Sequence, residues 1–550
     1  MVPSLNPFVG RAPDQPAPPP PASGGFSDTA CKRLAFGLIA FSVVFHLAYL
    51  AFDCPLDLSP DEAHYWQWSR HLDWSYYSKG PLVAWLIRAS CELFGSFSET
   101  HTGSLMFAIR LPAVLCHAAL LAGWYVLAVL TLKNHRAALA TVAVALTVPA
   151  VTAGAILMTI DPPFLACWVW ATIGVWKAVE TDRKAWWLFA GIASAFGILA
   201  KYPMALLPAT VFGYLLFWNR DQLKRPGFWL FGCVAALGLV PVFVWNAANG
   251  WVTFKHVGTQ AVGASGSGVR WFGPLAFAGG QVAFLIAVWF VVWACAVWAH
   301  RRTECAARAY LWWCSVPVWG LFAVASFKAS GQVNWPAAAY VSGFVLSVAW
   351  VRDRLNGPNH RLVGRVVSVG IASGLVLSAL VHFPGIMRGA LAQVGSVPTT
   401  DNPAPIRKFD PTARLRGWKA LGAEVDQLRA RVRAETGEDP LVAGTVWNIP
   451  GALGVYCEGH PETYSFGLAM RDRHSQYDLW RPNPVADAQA FRGRAFVIVG
   501  DGPPPETFAR LELGTRYVHH ESGVPVAAWW VWIGYGFRGF PDAQNPNNRY

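Results

Sequence analysis

Residues 108–132, AIRLPAVLCHAALLAGWYVLAVLTL, hold a single charged residue in a run that is long enough to cross a lipid bilayer. A hydrocarbon core of about 30 Å takes roughly 20 mostly apolar residues in one helix. Similar runs recur from about Lys32 to about Phe383, and the 550-residue chain is 54% hydrophobic and 14% charged. This composition excludes an ordinary soluble protein and a secreted protein with one signal peptide. We therefore predict a polytopic membrane protein.

About eleven spans are predicted from length and composition. Two of them, 185–199 and 203–218, are short and are separated by only three residues, so a merged or re-entrant arrangement is an alternative there. The predicted spans are 34–52, 108–132, 137–157, 162–179, 185–199, 203–218, 227–245, 273–298, 309–326, 335–351 and 366–382.

Basic residues accumulate in alternate loops, which predicts the orientation of the chain because such loops stay cytoplasmic. The formal charge of +12 therefore indicates topology rather than nucleic-acid binding. With an odd number of spans, the N-terminus is expected in the cytoplasm and the C-terminal part outside. The loops carry Lys133 and Arg136; Arg183 and Lys184; Arg220, Lys224 and Arg225; Arg301, Arg302 and Arg308; and Arg352, Arg354, Arg361 and Arg365.

Three regions follow from these patterns. Residues 1–31 are rich in Pro, Gly and Ser and are expected to form a disordered cytoplasmic tail. Residues 32–385 form the all-α membrane domain, with a long first outer loop at 53–103. Residues 386–550 are expected to form a small soluble α/β domain outside the membrane. Within it the patterns predict helices at 411–435 and 504–513 and strands at 441–447, 494–500 and 526–537.

Most of the ten cysteines sit inside apolar runs, where they act as small packing residues. Cys54 and Cys91 flank the first outer loop and are the one pair placed to meet in an oxidising compartment. A disulfide between them stays an open alternative.

The first outer loop contains the most informative motif. Ser59, Pro60, Asp61 and Glu62 form an S-x-x-E capping box with Pro at the first helical position, which predicts a short helix. Both acids are favourable there whatever the function, because carboxylates stabilise a first helical turn. However, Tyr65 and Trp68 lie four and seven positions after Asp61, so one carboxylate and two aromatic rings share a helical face, which suits either a sugar or the lipid interface.

Several other charged residues lie where the outer ends of spans are predicted. Lys79 precedes a second predicted helix at Pro81. Most lysines in such a position extend their ammonium group from the lipid interface to water, and the functional alternative is that Lys79 binds a phosphate. Asp161 in MTIDPP either caps the following helix, because Pro162 suits its first position, or belongs to a polar cavity near the membrane boundary. Arg110 in FAIRLP needs a partner, for which Asp61 and Asp161 are the candidates. Lys201 in ILAKYP and Lys328 in FKASGQ also fall at outer ends.

Taken together, these motifs resemble the GT-C type glycosyltransferases that use lipid-linked sugars, in particular bacterial proteins related to protein O-mannosyltransferases and to the lipid A aminoarabinose transferase (families 39 and 83). The resemblance runs from about residue 51 to 340. The motifs that carry it, in order, are PDEAHYWQWSRHLDWSYYSKGPLVAWLIR, FAIRLP, MTIDPP, GILAKYP, WNAANGWVTF and VNWPAAAY.

The resemblance implies a GT-C fold and roles for named residues. Asp61 and Glu62 would line the active site, with Asp61 as the base or orienting group for the acceptor. Basic residues near the Pro-rich turn that follows would meet the donor phosphate, which here falls on Lys79. Many relatives have an Asp-His-Pro-Pro or Glu-Lys-Pro-Pro turn where this chain has Ser78, Lys79, Gly80 and Pro81, which puts the substrate in doubt. The donor-phosphate candidates are Lys79, Arg110, Lys201 and Lys328, and the substrate candidates are Tyr65, Asp161, Asn334 and Tyr340.

The implied chemistry fits the residue types. Breaking a sugar–phosphate bond leaves negative charge on the phosphate, which cations stabilise. The acceptor must lose a proton, and a positioned carboxylate accepts it. No cofactor is expected, although a divalent metal between Asp61 and Asp161 stays an open alternative without a supporting ligand pattern. Tyr477 and Trp480 in the outer domain suit either sugar contacts or packing.

The sequence therefore predicts a glycosyltransferase of the bacterial inner membrane. It would move a sugar from a polyprenyl-phosphate donor to a lipid, glycan or protein acceptor at the outer face. Its expected partners are membrane lipid, the donor and the acceptor, without nucleic acid. A transporter or flippase of lipid-linked sugars is the main alternative, and a structural membrane protein is a third. The sugar, the acceptor and the oligomeric state stay open.

Overall fold

The computed structural model describes residues 26–52, 54–262, 268–394, 398–410 and 412–541. Helix α1 begins at Asp28, inside the region predicted as a tail, and residues 1–25 of that region lie outside the described residues. The helices up to residue 223 are α1 (Asp28–Phe52), α2 (Pro60–Arg70), α3 (Leu82–Thr102), α4 (Met106–Leu132), α5 (His135–Ala145), α6 (Pro149–Ala153), α7 (Asp161–Thr181), α8 (Lys184–Ala200), α9 (Leu206–Trp218) and α10 (Arg220–Leu223).

The second half of the chain adds further helices and then a sheet. The helices are α11 (Pro226–Ala236), α12 (Val240–Ala248), α13 (Val252–Val262), α14 (Gly273–Leu285), α15 (Ala287–Ala299), α16 (Ala306–Trp313), α17 (Val316–Ala325), α18 (Ala339–Leu355), α19 (His360–His382), α20 (Arg388–Val394), α21 (Trp418–Thr436) and α22 (Pro450–Tyr456). The strands are β1 (Leu441–Gly444), β2 (Thr463–Ser465), β3 (Phe496–Val499), β4 (Phe508–Glu521) and β5 (Val524–Phe537).

The helical part of the chain contains segments that are long and apolar enough to cross a membrane. Among the described residues, four helical segments meet both conditions: α1, α4, the joined segment Pro226–Ala248, and α19. A fifth span results if α14 and α15 are counted as one. Lys184–Ala200 and Tyr202–Trp218 are apolar but shorter. The polytopic helical architecture is therefore present, and the count of about eleven spans stays a prediction.

Two of the predicted spans are broken. The span predicted at 137–157 ends as α5 and resumes as α6, because Pro149 forces the preceding Val148 into an extended conformation. The span predicted at 273–298 consists of α14 and α15, which are bent by 114°. The bend lies at Ile286, whose φ of 61° is incompatible with a continuous helix.

The capping box predicted for α2 is present in full. The Ser59 hydroxyl accepts from the Glu62 backbone N at 3.2 Å, and the Glu62 carboxylate accepts from the Ser59 backbone N at 2.8 Å. Helix α3 begins at Leu82, directly after Pro81, and extends over 21 residues rather than forming the short helix expected there. The first outer loop is thus two helices joined by the turn that carries Lys79.

The C-terminal part of the chain, called the outer domain here after its predicted side of the membrane, has a five-stranded sheet with the order β2-β1-β3-β5-β4. Strands β1, β2 and β3 are parallel, and β4 and β5 form a long antiparallel hairpin at one side. The helix predicted at 504–513 is wrong, because Phe508–Glu521 is strand β4. Pairing with β5 across the turn at Ser522 and Gly523 satisfies the backbone of this segment and overrides its helical pattern.

The outer domain and the first outer loop share one hydrophobic cluster. It contains side chains of α2, of α21 and of the sheet, including Tyr65, Trp68, Leu421, Leu453 and Val531. Helix α22 approaches α2 so closely that a Cβ at Gly451 would lie 2.8 Å from the carbonyl carbon of Ala63. The loop with the predicted acids is therefore held between the membrane helices and the soluble domain.

All ten cysteines are free. Cys54 and Cys91 do not form the disulfide that was an alternative; Cys54 Sγ instead lies 3.4 Å from Nη1 of Arg110.

Candidate functional site

Glu62 and Arg110 form a buried ion pair at the base of the first outer loop. Arg110 Nε donates to Glu62 Oε1 at 2.9 Å, and Nη2 donates to Oε2 at 3.0 Å. Both side chains are fully buried. The expectation that Arg110 pairs with Asp61 or Asp161 is therefore wrong. Neighbouring side chains of a helix point in different directions, and in α2 it is Glu62, and not Asp61, that faces α4.

The remaining atoms of this pair are also satisfied. Glu62 accepts from the backbone N of Met158 at 2.9 Å, besides its capping bond to Ser59. Arg110 donates to the carbonyls of Leu56 and Asp57 at 2.9 and 2.8 Å. A guanidinium and a carboxylate with all these partners have no free face for a ligand. We therefore infer that neither touches the donor phosphate or the acceptor, and that both position α2.

Asp61 stands in the opposite situation. Its side chain is half-buried, and within the described residues no donor or cation lies at bonding distance from the carboxylate. Burial raises the pKa of Asp61 above its usual range, against the attraction of Arg414, Lys79 and Arg473. A carboxylate of this kind holds a proton more readily than a solvated one, which is the property of a general base.

Tyr65 lies one helical turn beyond Asp61 on the same face of α2. Its ring is buried and contacts Trp68 with 5.0 Å between the ring centroids. Burial raises the pKa of Tyr65 well above 10, and the charges of Asp61 and Asp161 add to this rise. The predicted arrangement of one carboxylate and two rings on one face is therefore present.

Lys79 is placed by a close backbone approach. A Cβ on the next residue, Gly80, would lie 2.2 Å from the carbonyl oxygen of Leu199, so only glycine allows this turn to pack on the end of α8. Lys79 and Lys201 line one small cavity of ≈ 140 Å³ as a result. Burial lowers the pKa of Lys79 to about 8, with repulsion from Lys201 adding and Asp61 and Asp161 opposing.

Asp161, Lys201 and Asn334 form one hydrogen-bonded group from three helical segments. Lys201 Nζ donates to Asp161 Oδ1 at 2.7 Å, and Asn334 Nδ2 donates to Oδ2 at 2.7 Å. Lys201 is only 6% exposed and lies at the break between α8 and the next helical segment, where the backbone turns extended. This break explains why the apolar segments 185–199 and 203–218, whose arrangement the sequence left open, are two short helices.

A mostly apolar cavity of ≈ 380 Å³ opens beside this group. Its lining includes Asp161, Asn334 and Tyr340, and it extends along α4 to Trp124 and along α18 to Phe344. Tyr340 is fixed at the wall, because its hydroxyl donates to Gln281 Oε1 at 2.8 Å. Three predicted substrate residues therefore share one cavity.

Lys328 is the predicted site residue that the structure leaves apart from the others. Its side chain is exposed, and it lines neither the ≈ 380 Å³ cavity nor the ≈ 140 Å³ cavity. We therefore do not propose it as a phosphate ligand. As for the open metal alternative, the part of the chain that the structure describes contains no group of three His, Cys, Asp or Glu placed for a metal ion.

Two cations of the outer domain, Arg414 and Arg473, were not predicted from the sequence. The charges of Arg414 and Arg473 both act on the Asp61 carboxyl, although these residues lie more than 350 positions further along the chain. Arg473 stands over the ring of Trp447 at 4.0 Å from the centroid. No local pattern identifies either residue, because each reaches the site through the packing of the outer domain on α2.

The chain is similar to several known proteins. Residues 78–245 match the family described as dolichyl-phosphate-mannose-protein mannosyltransferase. The lipid A galacturonosyltransferase RgtD of Rhizobium johnstonii is 27% identical over 314 residues, which are 56% of this chain. The match spans 63% of the length of that relative.

Solved structures of ArnT from Cupriavidus metallidurans are similar over nearly the whole chain. The apo structure has a TM-score of 0.56 at 17% identity and covers 92% of this chain and 98% of ArnT. The structure bound to undecaprenyl phosphate has a TM-score of 0.57 at 17% identity and covers 94% of this chain and 100% of ArnT. These comparisons confirm the predicted resemblance to GT-C glycosyltransferases, and the fold is that of ArnT.

Proposed function

We propose that the protein transfers a sugar from a polyprenyl-phosphate donor to a glycolipid of the lipid A class, at the outer face of the bacterial inner membrane. The observation that carries the proposal is the Asp61 carboxylate, which has no ion-pair partner among the described residues and lies close enough to Lys79 for the two charges to interact. Lys79 also interacts with Asp161 and Lys201, and Asp161 lines the apolar cavity. The name of the RgtD relative supports a lipid A acceptor. Glycan and protein acceptors stay as alternatives.

In the proposed reaction the acceptor hydroxyl attacks the anomeric carbon of the sugar. A bond forms between the acceptor oxygen and that carbon, and the bond from the carbon to the phosphate oxygen breaks. The electron pair of the broken bond stays with the phosphate, and the hydroxyl proton passes to Asp61. The raised pKa of Asp61, caused by burial, makes the carboxylate a better proton acceptor.

Lys79 is the proposed cation for the donor phosphate. It lines the ≈ 140 Å³ cavity, and within the described residues no carboxylate lies within 4 Å of its ammonium group. A cation that is not already neutralised offers the most to charge that develops on the leaving phosphate. Lys201 donates to the Asp161 carboxylate and to the backbone carbonyl of Asn334, so we propose that this group orients the donor rather than carrying the leaving charge.

The ≈ 380 Å³ cavity is the proposed place of the polyprenyl chain. Its lining is largely apolar, and two of its polar residues, Asp161 and Asn334, belong to the group beside the proposed phosphate position. The solved ArnT structure with undecaprenyl phosphate supports a polyprenyl ligand for this fold. Ala337 lines this cavity, and Ala337→Phe should narrow it. A loss of donor binding in this variant would support the assignment.

The proposed function is tested with the purified protein in lipid nanodiscs. Polyprenyl-phosphate galacturonate is the first donor to assay and lipid A the first acceptor, with the product followed by mass spectrometry. The proposal expects a new glycosylated lipid and equimolar polyprenyl phosphate. Movement of labelled donor across proteoliposomes without a covalent product would instead support the transporter alternative.

A further inference from the structure

A loop of the outer domain is fixed to the membrane domain beside the site. The loop follows β2 and ends in a 3-10 turn at Gln476–Asp478. Gln476 Oε1 accepts from the backbone N of Tyr77 at 2.7 Å, and Leu479 packs in an apolar cluster with Tyr77 and Trp245. The position of this loop, which carries Arg473, is therefore set by contacts on the first outer loop and on α12.

Arg473 is held by stacking rather than by an ion pair. Its guanidinium lies 4.0 Å from the centroid of the Trp447 ring. The Trp447 backbone N donates to Asp472 Oδ2 at 2.8 Å, which ties the loop after β1 to the loop after β2. Both loops follow the carboxyl ends of parallel strands, the edge at which α/β domains bind ligands.

The Arg473 guanidinium has no anionic partner in the described part of the chain. The adjacent acid, Asp472, is occupied by Trp447. A guanidinium stacked on an aromatic face keeps its N–H edges free, and these edges match a carboxylate or a phosphate bidentately. A half-buried cation of this kind is stabilised when an anion enters beside it.

A second donor without an acceptor lies next to the same tryptophan. The His64 ring is edge-on to Trp447, with 5.6 Å between the centroids. His64 Nε2 accepts the indole N–H of Trp68 at 3.1 Å, which assigns the proton of the neutral ring to Nδ1. Among the described residues Nδ1 has no hydrogen-bond partner. Burial lowers the pKa of His64 to about 3, so this ring offers an N–H and no charge.

When each charge of the site is matched with its partner among the described residues, Arg473 is left without an ion pair. Glu62 and Asp161 are already matched inside the protein by their ion pairs. Of the cations that act on Asp61, Arg414 acts most strongly, and Lys79 is the cation proposed for the single negative charge of the donor phosphodiester. Arg473 then has no ion-pair partner in the described part of the chain and is not needed for the donor phosphate, and it acts on Asp61 less strongly than Arg414 and Lys79 do.

We propose that Arg473 binds a second oxyanion, a carboxylate or phosphate group carried by the transferred sugar or by the acceptor. The inference rests on the proposed transferase and narrows its substrate class, since at least one substrate must carry an anionic group besides the donor phosphodiester. Arg473 is thus a specificity residue of the site, presented by the outer domain.

The test compares anionic and neutral substrates for the full chain in nanodiscs. The donors are polyprenyl-phosphate galacturonate and polyprenyl-phosphate galactose, and the acceptors are lipid A and dephosphorylated lipid A. The variants are Arg473→Gln, Arg473→Lys and the control Arg492→Gln, which removes an exposed arginine of the same domain. The measured quantity is kcat/KM for each pairing.

We expect Arg473→Gln to lower kcat/KM for the anionic substrate by roughly 10- to 100-fold while rates with its neutral counterpart change about twofold or less. Arg473→Lys should recover part of the loss, and Arg492→Gln should resemble the parent protein. A preference that depends on the donor assigns the oxyanion to the sugar, and one that depends on lipid A phosphate assigns it to the acceptor. Equal losses for anionic and neutral substrates, or no loss, would overturn the proposal.

A binding readout separates this inference from the proposed function. The Tm of the purified protein is measured with galacturonate, inorganic phosphate and galactose as probes. The inference expects an anion, and not galactose, to raise the Tm of the parent protein, and expects Arg473→Gln to remove that rise. If no pairing gives transfer but the rise is present, the transferase proposal fails and the anion site stands. Absence of the rise together with unchanged substrate preference would reject the anion site.

Discussion

Asp61 and Glu62 are adjacent in the chain but are used in different ways. The two side chains leave α2 about 100° apart, so Glu62 faces Arg110 of α4 and Asp61 does not. Glu62 has four hydrogen bonds from Arg110, Met158 and Ser59, whereas Asp61 has none within the described residues. The same motif therefore contains a candidate base and a residue that holds the helix in place.

Asp61→Asn should lower sugar transfer by about 10²- to 10⁴-fold, because the amide cannot accept the acceptor proton. The free energy of unfolding should change little, since the carboxylate has no protein partner to lose. Transfer is measured by mass spectrometry and stability by thermal unfolding. The matched control is Asp501→Asn, an exposed acid of the outer domain. Transfer at the parent rate would exclude Asp61 as the base.

Glu62→Gln should destabilise the protein by about 3–5 kcal/mol, because Arg110 would keep a buried charge without its counterion. The double variant Glu62→Gln, Arg110→Met should recover part of this loss. Thermal unfolding of both variants in detergent measures the effect. If Glu62→Gln abolishes transfer without changing the unfolding temperature, Glu62 belongs to the chemistry, as the sequence resemblance implied.

The pH dependence of kcat/KM should be bell-shaped. Burial raises the pKa of Asp61, so the rate rises as the pH increases and the carboxylate forms. Burial lowers the pKa of Lys79 to about 8, so the rate falls as the pH passes about 8 and the cation is lost. Lys79→Arg should move the falling limb to higher pH, since a guanidinium stays charged. A parent profile that is flat from about pH 7 to about pH 10 would contradict the role of Lys79.

Secondary-structure elements were predictable where local chemistry decides them. The capping box at Ser59 and the single proline before α3, Pro81, mark helix starts that the sequence indicates correctly. The prediction failed at 504–513, because β4 forms only by pairing with β5. It also merged α14 with α15, since no local signal marks the bend at Ile286. Long-range pairing and packing therefore account for the errors.

The turn that carries Lys79 depends on a glycine. Gly80→Ala would place a Cβ 2.2 Å from the Leu199 carbonyl oxygen, so the turn must move away from α8. We expect weaker donor binding and a loss of transfer larger than tenfold, on the order of 1.4 kcal/mol or more. Gly232→Ala is the control, because no atom lies within 4 Å of its Cβ position. Donor KM is the measurement, and an unchanged KM would mean that the turn position is unimportant.

At the scale of the whole molecule, the proposed orientation sets the two ends on opposite sides of the membrane. Cys305 is exposed in the loop before α16, and the basic residues of this loop predict that it lies in the cytoplasm. A membrane-impermeant maleimide should leave Cys305 unlabelled in intact spheroplasts and label it after permeabilisation. Arg492→Cys in the outer domain should be labelled in both conditions. The reverse pattern would invert the topology.

Only part of the candidate site was predictable, because some of its residues belong to local motifs and others reach the site through long-range packing. The residues found from the sequence, such as Asp61, Lys79 and Asp161, belong to motifs whose order resembles a known family. Arg414 and Arg473 belong to the outer domain, whose position over α2 depends on a shared hydrophobic cluster. The partner of Arg110 likewise depends on which face of α2 packs on α4.

The separation of Asp61 and Arg473 along the chain also has a consequence for biosynthesis. The ribosome makes about 5–20 residues per second, so Arg473, which lies 412 positions after Asp61, appears roughly 20–80 s later. During that interval the early helices are inserted while the loop that selects the substrate does not yet exist. A nascent chain therefore cannot discriminate between anionic and neutral substrates until the loop with Arg473 has been made and has docked beside α2.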